Sequence, residues 1–256
     1  MRTRAPLLLV VPAALGAVLL LLPLGALLHG TPWHRLPDLL GRRDVQLALW
    51  LSLRCALAAT GLSVLLGVPL AWVLARSRLR FRRLLRSLVI VPLVLPPVVG
   101  GVALLLAFGR RGLLGPLLIE AGAVPAFTTT GVVLAEAFVA LPFLVLTVEG
   151  AIAGLPVAAE EVAGTLGARP LRVFLTVTLP SVAPSVAAGA VLAGARALGE
   201  FGATTTFAGS LPGRTQTVPL AVYALLQDDP AAAYALSAVL LSVSVALVLL
   251  LRGRLR

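Results

Sequence analysis

The sequence contains no lysine and few acidic residues: all 21 basic residues are arginine, and aspartate and glutamate together number 10. A nucleotide-binding P-loop needs the lysine of G-x-x-x-x-G-K-[ST], because that lysine reaches the nucleotide phosphates. This chain therefore cannot bind ATP through a P-loop. If ATP drives the protein, a separate subunit must hydrolyse it.

Cysteine and histidine are also scarce, with one cysteine and two histidines in 256 residues. Cys55 lies in an apolar run, and His29 and His34 are isolated near the end of the first such run. A disulfide framework or metal cluster needs several such residues at short spacing. No Ser/His/Asp arrangement and no paired catalytic carboxylates are present either. We therefore expect no enzymatic activity, no metal site and no cofactor bound by this chain.

Apolar residues are abundant, at 59% of the chain, while charged residues make up only 12%, against about 25% in soluble domains. A membrane helix needs about 20 mostly apolar residues. Six runs meet this length, at 6–28, 47–75, 87–108, 131–151, 183–207 and 231–251. The first is longer than a signal-peptide core and no A-x-A cleavage site follows it, so we expect it to be retained. The sequence predicts an all-α polytopic membrane protein forming one domain, 1–256, with six transmembrane helices.

Arginines in the short loops predict the orientation of these helices, because cytoplasmic loops are enriched in them. Thirteen lie on one side, at positions 2, 4, 76, 78, 80, 82, 83, 86, 169, 172, 252, 254 and 256. The other side has six, at positions 35, 42, 43, 110, 111 and 214. Both termini are therefore predicted to be cytoplasmic. The basic run 76–86 lies between two apolar spans, so we interpret it as an anchor to anionic lipid and expect no nucleic-acid partner.

The cytoplasmic stretch 152–182 has the pattern of a helix–turn–helix. Pro156 can open a helix, and Glu160 and Glu161 then fall in its early turns, where acidic side chains suit the helix dipole. Gly167 can end that helix by adopting a positive φ, and Pro170 can begin the next. The result is a protrusion suited to docking against another protein.

This stretch resembles the EAA loop of bacterial ABC importer permeases. That pattern is E-A-A, three residues, G, nine residues, then I-x-L-P; here it is Glu161-Val-Ala163, Gly167 and Val177-Thr-Leu179-Pro180. The resemblance implies the type I ABC importer permease fold, in which this loop forms a cytoplasmic coupling helix. It also implies a partner dimer of cytoplasmic ATPase subunits that carries the ATP and Mg. The residues expected to couple the two subunits are Glu160, Glu161, Ala163, Gly167, Leu179 and Pro180.

Two intramembrane features mark a candidate pathway or gate. Pro96 and Pro97, with Pro92, Gly100 and Gly101, interrupt the third run, and a broken helix in lipid needs protein or a water-filled cavity beside it. A simple packing kink is the alternative. In the fifth run, which is rich in small residues that favour close helix packing, two ionisable residues lie four apart and share a helix face. The candidate residues are Pro96, Pro97, Arg196, Glu200, Thr204 and Thr205. The Arg196–Glu200 pair fits a structural ion pair as well as a substrate contact, and the threonine hydroxyls fit helix capping as well as oxyanion binding.

The stretch 199–223 is similar to the corresponding segment of molybdate importer permeases, in its G-E-F-G-A and P-G-R-T-Q-T-x-P-L-A-x-Y portions. The resemblance implies a multi-pass subunit of the bacterial cytoplasmic membrane, with a second permease copy and an extracytoplasmic oxyanion-binding protein as partners. Sulfate, thiosulfate or tungstate are alternative cargoes. A further alternative is an ion-coupled secondary transporter that uses Glu136 and Glu200. That alternative leaves the EAA spacing unexplained, and the internal repeat that such transporters often show is not found.

Overall fold

The computed structural model describes residues 7–77 and 79–254 of the protein. Every regular element in these two ranges is helical. The helices are α1 (Leu7–Gly30), α2 (Leu36–Gly41), α3 (Arg43–Arg76), α4 (Arg82–Val94), α5 (Pro97–Phe108), α6 (Gly115–Glu120), α7 (Thr129–Gly154), α8 (Ala158–Thr165), α9 (Pro170–Leu198), α10 (Gly202–Ala208), α11 (Val218–Asp228) and α12 (Pro230–Arg254). The expected all-α polytopic class is confirmed. Arg2, Arg4, Arg78 and Arg256, used in the orientation argument, lie outside the described residues.

Five of the described helices, α1, α3, α7, α9 and α12, are long and apolar enough to cross a membrane, and the bent pair α4–α5 can provide a sixth crossing. The centre of the molecule is formed by α3, α7 and α9. Small residues allow this close packing: a Cβ on Gly189 of α9 would lie 3.4 Å from the Cα of Leu144 in α7. Ala193 of α9 and Ala59 of α3 are fully buried. The small side chains of the fifth run thus place α9 at the centre of the fold.

The third apolar run is sharply bent. Helix α4 ends at Val94, Pro96 is the cap of α5, and the two axes differ by 120°. The cause is local, because each proline lacks the N–H that would continue the helical ladder. At the start of the pair Arg86 contacts Glu149 near the end of α7, and further along Gly100 approaches Phe138. The pair therefore contacts both the end and the middle of α7 despite the bend.

The fifth apolar run differs from the single span expected at 183–207. Helix α9 begins at Pro170, contains a π-turn at Phe174–Thr178, and ends at Leu198. A three-residue break follows, and the short helix α10 begins at Gly202. The apolar composition continues across this break, which is why composition alone does not reveal it.

Helix α1 lies at the edge of the molecule and contacts α12. Its side chains are largely exposed, as Leu8 (88%) and Leu19 (74%) illustrate. The segment after α1 is joined to the start of α12 by an ion pair in which Arg35 lies 3.0 Å from Asp229. The N–H of Ala232 donates to Asp229 and, with Arg35, holds the pKa of this carboxyl below its usual value.

Candidate functional site

Two helices that each follow a break, α5 and α10, pack directly against each other. A Cβ on Gly202 would lie 2.7 Å from the Cβ of Pro97, and a Cβ on Gly101 would lie 2.6 Å from the Cβ of Thr206. Carbon atoms in contact are normally about 3.5–4.0 Å apart, so neither position has room for a side chain. We call these four residues the helix crossing. It joins the interruption predicted at Pro96–Pro97 to the break at 199–201 that the sequence does not predict.

Glu200 lies in the second break and is 1% exposed. One carboxylate oxygen accepts the N–H of Ala203 at 2.8 Å, so the side chain caps the first turn of α10. The other oxygen lies 2.7 Å from a guanidinium nitrogen of Arg196, the basic residue in the last turn of α9. The two residues are in contact as predicted, but Glu200 lies past the end of α9 and therefore shares no helix face with Arg196. Because its carboxylate caps α10 and pairs with the last turn of α9, Glu200 stabilises the break.

The hydroxyls predicted near the break fall into different environments. Thr204 is fully buried, and its Oγ1 has no hydrogen-bond partner among the described residues. Glu136 of α7 is also buried, at 1% exposure, and one of its carboxylate oxygens likewise has no hydrogen-bond partner among the described residues. Thr205 is half-buried, and the neighbouring Thr206 donates back to the carbonyl of Gly202. Arg196 is more accessible, with 28% of its side chain exposed, and a guanidinium has five donors, so it can bind an anion while paired with Glu200.

A groove of about 450 Å³ adjoins the second break, between α11 and α12. Phe201 of the break and Tyr223 of α11 lie on its wall, with ring centres 5.2 Å apart. Hydroxyls of Ser237 and Ser244 also line it. The second break therefore borders this groove on one side and the helix crossing on the other.

In the loop 152–182, helix α8 ends in a Schellman motif. Gly167 has φ +83°, its N–H donates to Gly164, and the N–H of Ala168 donates to the carbonyl of Ala163. These are the two bonds that define the motif, and the residue in the positive-φ position is normally glycine. The predicted pair Ala163 and Gly167 thus share a structural role, which is to reverse the chain after α8.

The two adjacent acidic residues of α8 face different surroundings. Glu161 is exposed, and so are the neighbouring apolar side chains of Val162 (59%) and Leu166 (82%). Glu160 points inward: its Oε2 lies 3.0 Å from Nε of Arg76, and its Oε1 accepts the hydroxyl of Thr178 at 2.8 Å. These three exposed side chains, Glu161, Val162 and Leu166, form a surface of mixed apolar and acidic character, which we call the docking face after the role predicted from the sequence.

Leu179 and Pro180 lie beside this loop, where the π-turn of α9 ends. Leu179 is half-buried against the central cluster of α3, α7 and α9, whereas Pro180 is exposed. Leu179 therefore anchors the second half of the loop in the core. The structure thus places all six predicted coupling residues in one region, near the ends of α3 and α7 and away from the helix crossing.

Some residues at these sites were missed by the sequence reasoning. Arg76 was interpreted only as part of the basic anchor, and Thr178 was passed over although it lies inside the Val177–Pro180 motif. Glu149 was not singled out, and it is buried and paired with Arg86. A buried charge demands a partner, but Arg86 is 63 residues from Glu149, and Arg76 is 84 residues from Glu160, so local spacing cannot identify these ion pairs.

Comparison with known proteins identifies the family. Residues 63–255 match the model of the binding-protein-dependent transport system inner membrane component. The chain belongs to this family. Both the helix crossing and the loop 152–182 fall inside the matched segment, which is three quarters of the chain. Among the described residues, no group of three or more His, Cys, Asp or Glu side chains could hold a metal ion.

Curated relatives within this permease family are similar over nearly the whole chain. The molybdenum transport system permease protein ModB of Mycobacterium tuberculosis is 53% identical over 238 residues, which is 93% of this chain and 90% of that protein. ModB of Escherichia coli K12 is 42% identical, covering 80% of this chain and 90% of the relative. The sulfate transport system permease protein CysT of Salmonella typhimurium is 36% identical, covering 90% and 84%.

Solved structures of other permeases share the fold. A bacterial ABC transporter that imports the acidic polysaccharide alginate matches with a TM-score of 0.72 at 18% identity, over 96% of this chain and 92% of that chain. The MetNI methionine ABC transporter matches with a TM-score of 0.61 at 15% identity, over 82% and 95%. The ABC importer permease fold expected from the loop is therefore confirmed.

Proposed function

We propose that the chain is the membrane-spanning permease subunit of an ATP-driven importer of molybdate. The observation that carries this proposal is the 53% identity, over 93% of the chain, to a protein named as a molybdenum transport permease. ATP hydrolysis belongs to a separate subunit, in keeping with the absence of lysine and hence of a P-loop. Transport then proceeds by alternating access between two orientations of the pathway.

Coupling to the ATPase is assigned to the docking face of α8. Val162 and Leu166 expose apolar surface on a helix that lies outside the membrane core, and exposed apolar patches typically mark interaction sites. Glu161 beside them adds a charge for a basic partner residue. The Schellman turn at Gly167 fixes the direction in which this face points. Closure of an ATPase dimer that carries ATP and Mg would move α8 and reorient the helices behind it.

The pathway is assigned to the helix crossing and the groove next to it. Molybdate is a dianion, and the partly exposed Arg196 could neutralise part of its charge during passage. Glu200 holds Arg196 in place rather than meeting the anion, since like charges repel. Weak contacts suit a pathway because an anion held tightly in the membrane would not be released.

Both termini are placed in the cytoplasm, with an extracytoplasmic oxyanion-binding protein docking on the opposite face. The thirteen-to-six distribution of loop arginines supports this orientation, which the positive-inside rule links to the cytoplasm. A second permease copy completes the pathway. The exposed length of α1 leaves apolar surface for that copy and for lipid.

The test is ATP hydrolysis by the complex reconstituted in lipid with its ATPase and binding protein, compared among molybdate, tungstate and sulfate. We expect stimulation by molybdate-loaded binding protein and no response to sulfate. Stimulation by sulfate alone would retain the mechanism and refute the cargo. Failure to assemble with any ATPase subunit would refute the importer and favour an ion-coupled transporter.

A further inference from the structure

We propose that Arg76 is a positioning residue that transmits the movement of α8 to the membrane helix α3. The proposal rests on the coupling role given to α8 in the proposed function. It concerns four residues, Arg76, Leu155, Glu160 and Thr178, which we call the Arg76 junction. None of them belongs to the docking face.

The Arg76 junction joins four helices at one point. Arg76 lies in the last turn of α3, and its terminal nitrogen donates to the carbonyl of Leu155, the C-cap of α7, at 3.1 Å. Its Nε lies 3.0 Å from Glu160 in the first turn of α8, as an ion pair whose N–H is not aligned for a hydrogen bond. Thr178 at the end of the π-turn in α9 donates to the other oxygen of Glu160. One guanidinium and one carboxylate thus connect α3, α7, α8 and α9.

The chemistry of the helix ends favours this arrangement. A cation is stabilised at a helix C-terminus and an anion at a helix N-terminus. Arg76 lies where α3 and α7 both end, and Glu160 lies where α8 begins. The two side chains are only 13% and 16% exposed, so water screens their attraction less than it would on an open surface. The pair therefore holds a defined geometry.

Chain connectivity explains why such a contact is needed. Helix α8 is linked by short backbone segments to α7 on one side, at 155–157, and to α9 on the other, at 166–169. Helix α3 has no such backbone link, because 81 residues separate its end from the start of α8. Yet α3 packs along both α7 and α9 in the centre of the fold. A displacement of α8 can act directly on α3 only through side chains, and the described ion pair between these helices is Arg76–Glu160.

The adjacent acids of α8 therefore have separate tasks. Both carboxylate oxygens of Glu160 are engaged inside the permease, so that residue is not available to the ATPase. Glu161 is exposed and is available to it. Glu160, expected from the sequence to be a docking residue, is thus reassigned to transmission within the permease.

The experiment compares Arg76→Gln, Glu160→Gln and the double variant with Glu161→Gln as the matched control. Each is purified as the full complex in lipid, and two quantities are measured: retention of the ATPase subunit, and anion transported per ATP hydrolysed. The transport ratio is measured with whichever of molybdate, tungstate or sulfate stimulates the parent complex. A wrong cargo, or a complex that hydrolyses no ATP, would already be evident in the parent complex. Neither would therefore be mistaken for an effect of the variants.

We expect Arg76→Gln and Glu160→Gln to retain the ATPase while transport per ATP falls about tenfold, a typical magnitude for coupling between sites. The double variant should be no worse than either single variant, because both remove the same contact. Arg76→Lys, which keeps the charge, should stay closer to the parent. Glu161→Gln should instead weaken retention of the ATPase.

Three results would overturn the proposal. One is an unchanged transport ratio in both single variants. Another is loss of the ATPase from Glu160→Gln, which would make Glu160 a docking contact after all. The last is a double variant whose loss is the product of the two single losses, because residues acting independently combine in that way.

Discussion

Replacing Arg196 by alanine gives the sharpest test of the intramembrane break. In the parent protein its guanidinium lies 2.7 Å from the carboxylate of Glu200, which is 1% exposed. The substitution leaves that carboxylate buried without a counter-charge. Removing one partner of a buried ion pair costs about 3–5 kcal/mol. Since whole domains are stable by only about 5–15 kcal/mol, we expect Arg196→Ala to be severely destabilised.

Two further variants separate the buried charge from the other roles of the pair. Glu200→Gln removes the charge but keeps an oxygen that can accept the N–H of Ala203, and the arginine left behind is partly exposed. We expect a smaller loss, about 1–2 kcal/mol, typical of a weakened hydrogen bond. The double variant Arg196→Ala/Glu200→Gln leaves no uncompensated charge, so it should be more stable than Arg196→Ala alone.

The assay is thermal unfolding of the three variants in one lipid or detergent, followed by molybdate-stimulated transport. Arg196→Ala as stable as the parent, or a double variant no better than Arg196→Ala, would refute the electrostatic argument. Transport then resolves the choice left open by the sequence. A double variant that folds but no longer transports assigns Arg196 to the anion, whereas one that transports assigns the pair to structure.

Three other predictions follow from local geometry. Gly202→Ala should lower stability by about 1–3 kcal/mol, since its Cβ would lie 2.7 Å from Pro97, whereas Gly199→Ala, with its nearest atom at 3.7 Å, should melt like the parent. Gly167→Ala should weaken ATPase retention about fivefold, because a side chain at φ +83° costs about 1 kcal/mol, while Gly164→Ala should not weaken it. The lowered pKa of Asp229 stabilises the fold above about pH 4, where aspartate is ordinarily ionised, and this contribution disappears as pH falls through the lowered value. The melting temperature of Asp229→Asn should therefore be below that of the parent at pH 7 and converge with it in acid.

The helices that cross the membrane are predictable because their signal is local. An apolar run of 20 residues in lipid has to satisfy its backbone internally, and a helix does so within the segment. The break at Pro96 is predictable for the same reason, since proline acts on its own turn. The EAA spacing locates Gly167 correctly because a positive φ depends on one residue.

The second break is not predictable in this way. Residues 199–201 contain no proline, and the apolar composition continues on both sides. The chain is interrupted there because Glu200 caps Ala203 and because Gly202 must meet Pro97, about 105 residues earlier in the chain. The same holds for the Arg76 junction, whose ion pair joins residues 84 positions apart. Contacts of this range are decided by how helices distant in the chain pack together, and no short pattern encodes them.

Helix α9 connects the two functional regions. It begins beside the coupling loop, carries Thr178 of the Arg76 junction, and ends at Arg196 and the second break. At 1.5 Å per residue its 29 residues span about 44 Å, the thickness of a bilayer with its headgroups. A single helix of that length can transmit a displacement at the end beside the loop to its far end. Its π-turn at Phe174–Thr178 lies next to the loop, so the α-helical part, which includes Pro184, extends from the Arg76 junction to the break. Movement of α8 can therefore reach the proposed anion pathway through the helix that carries both sites.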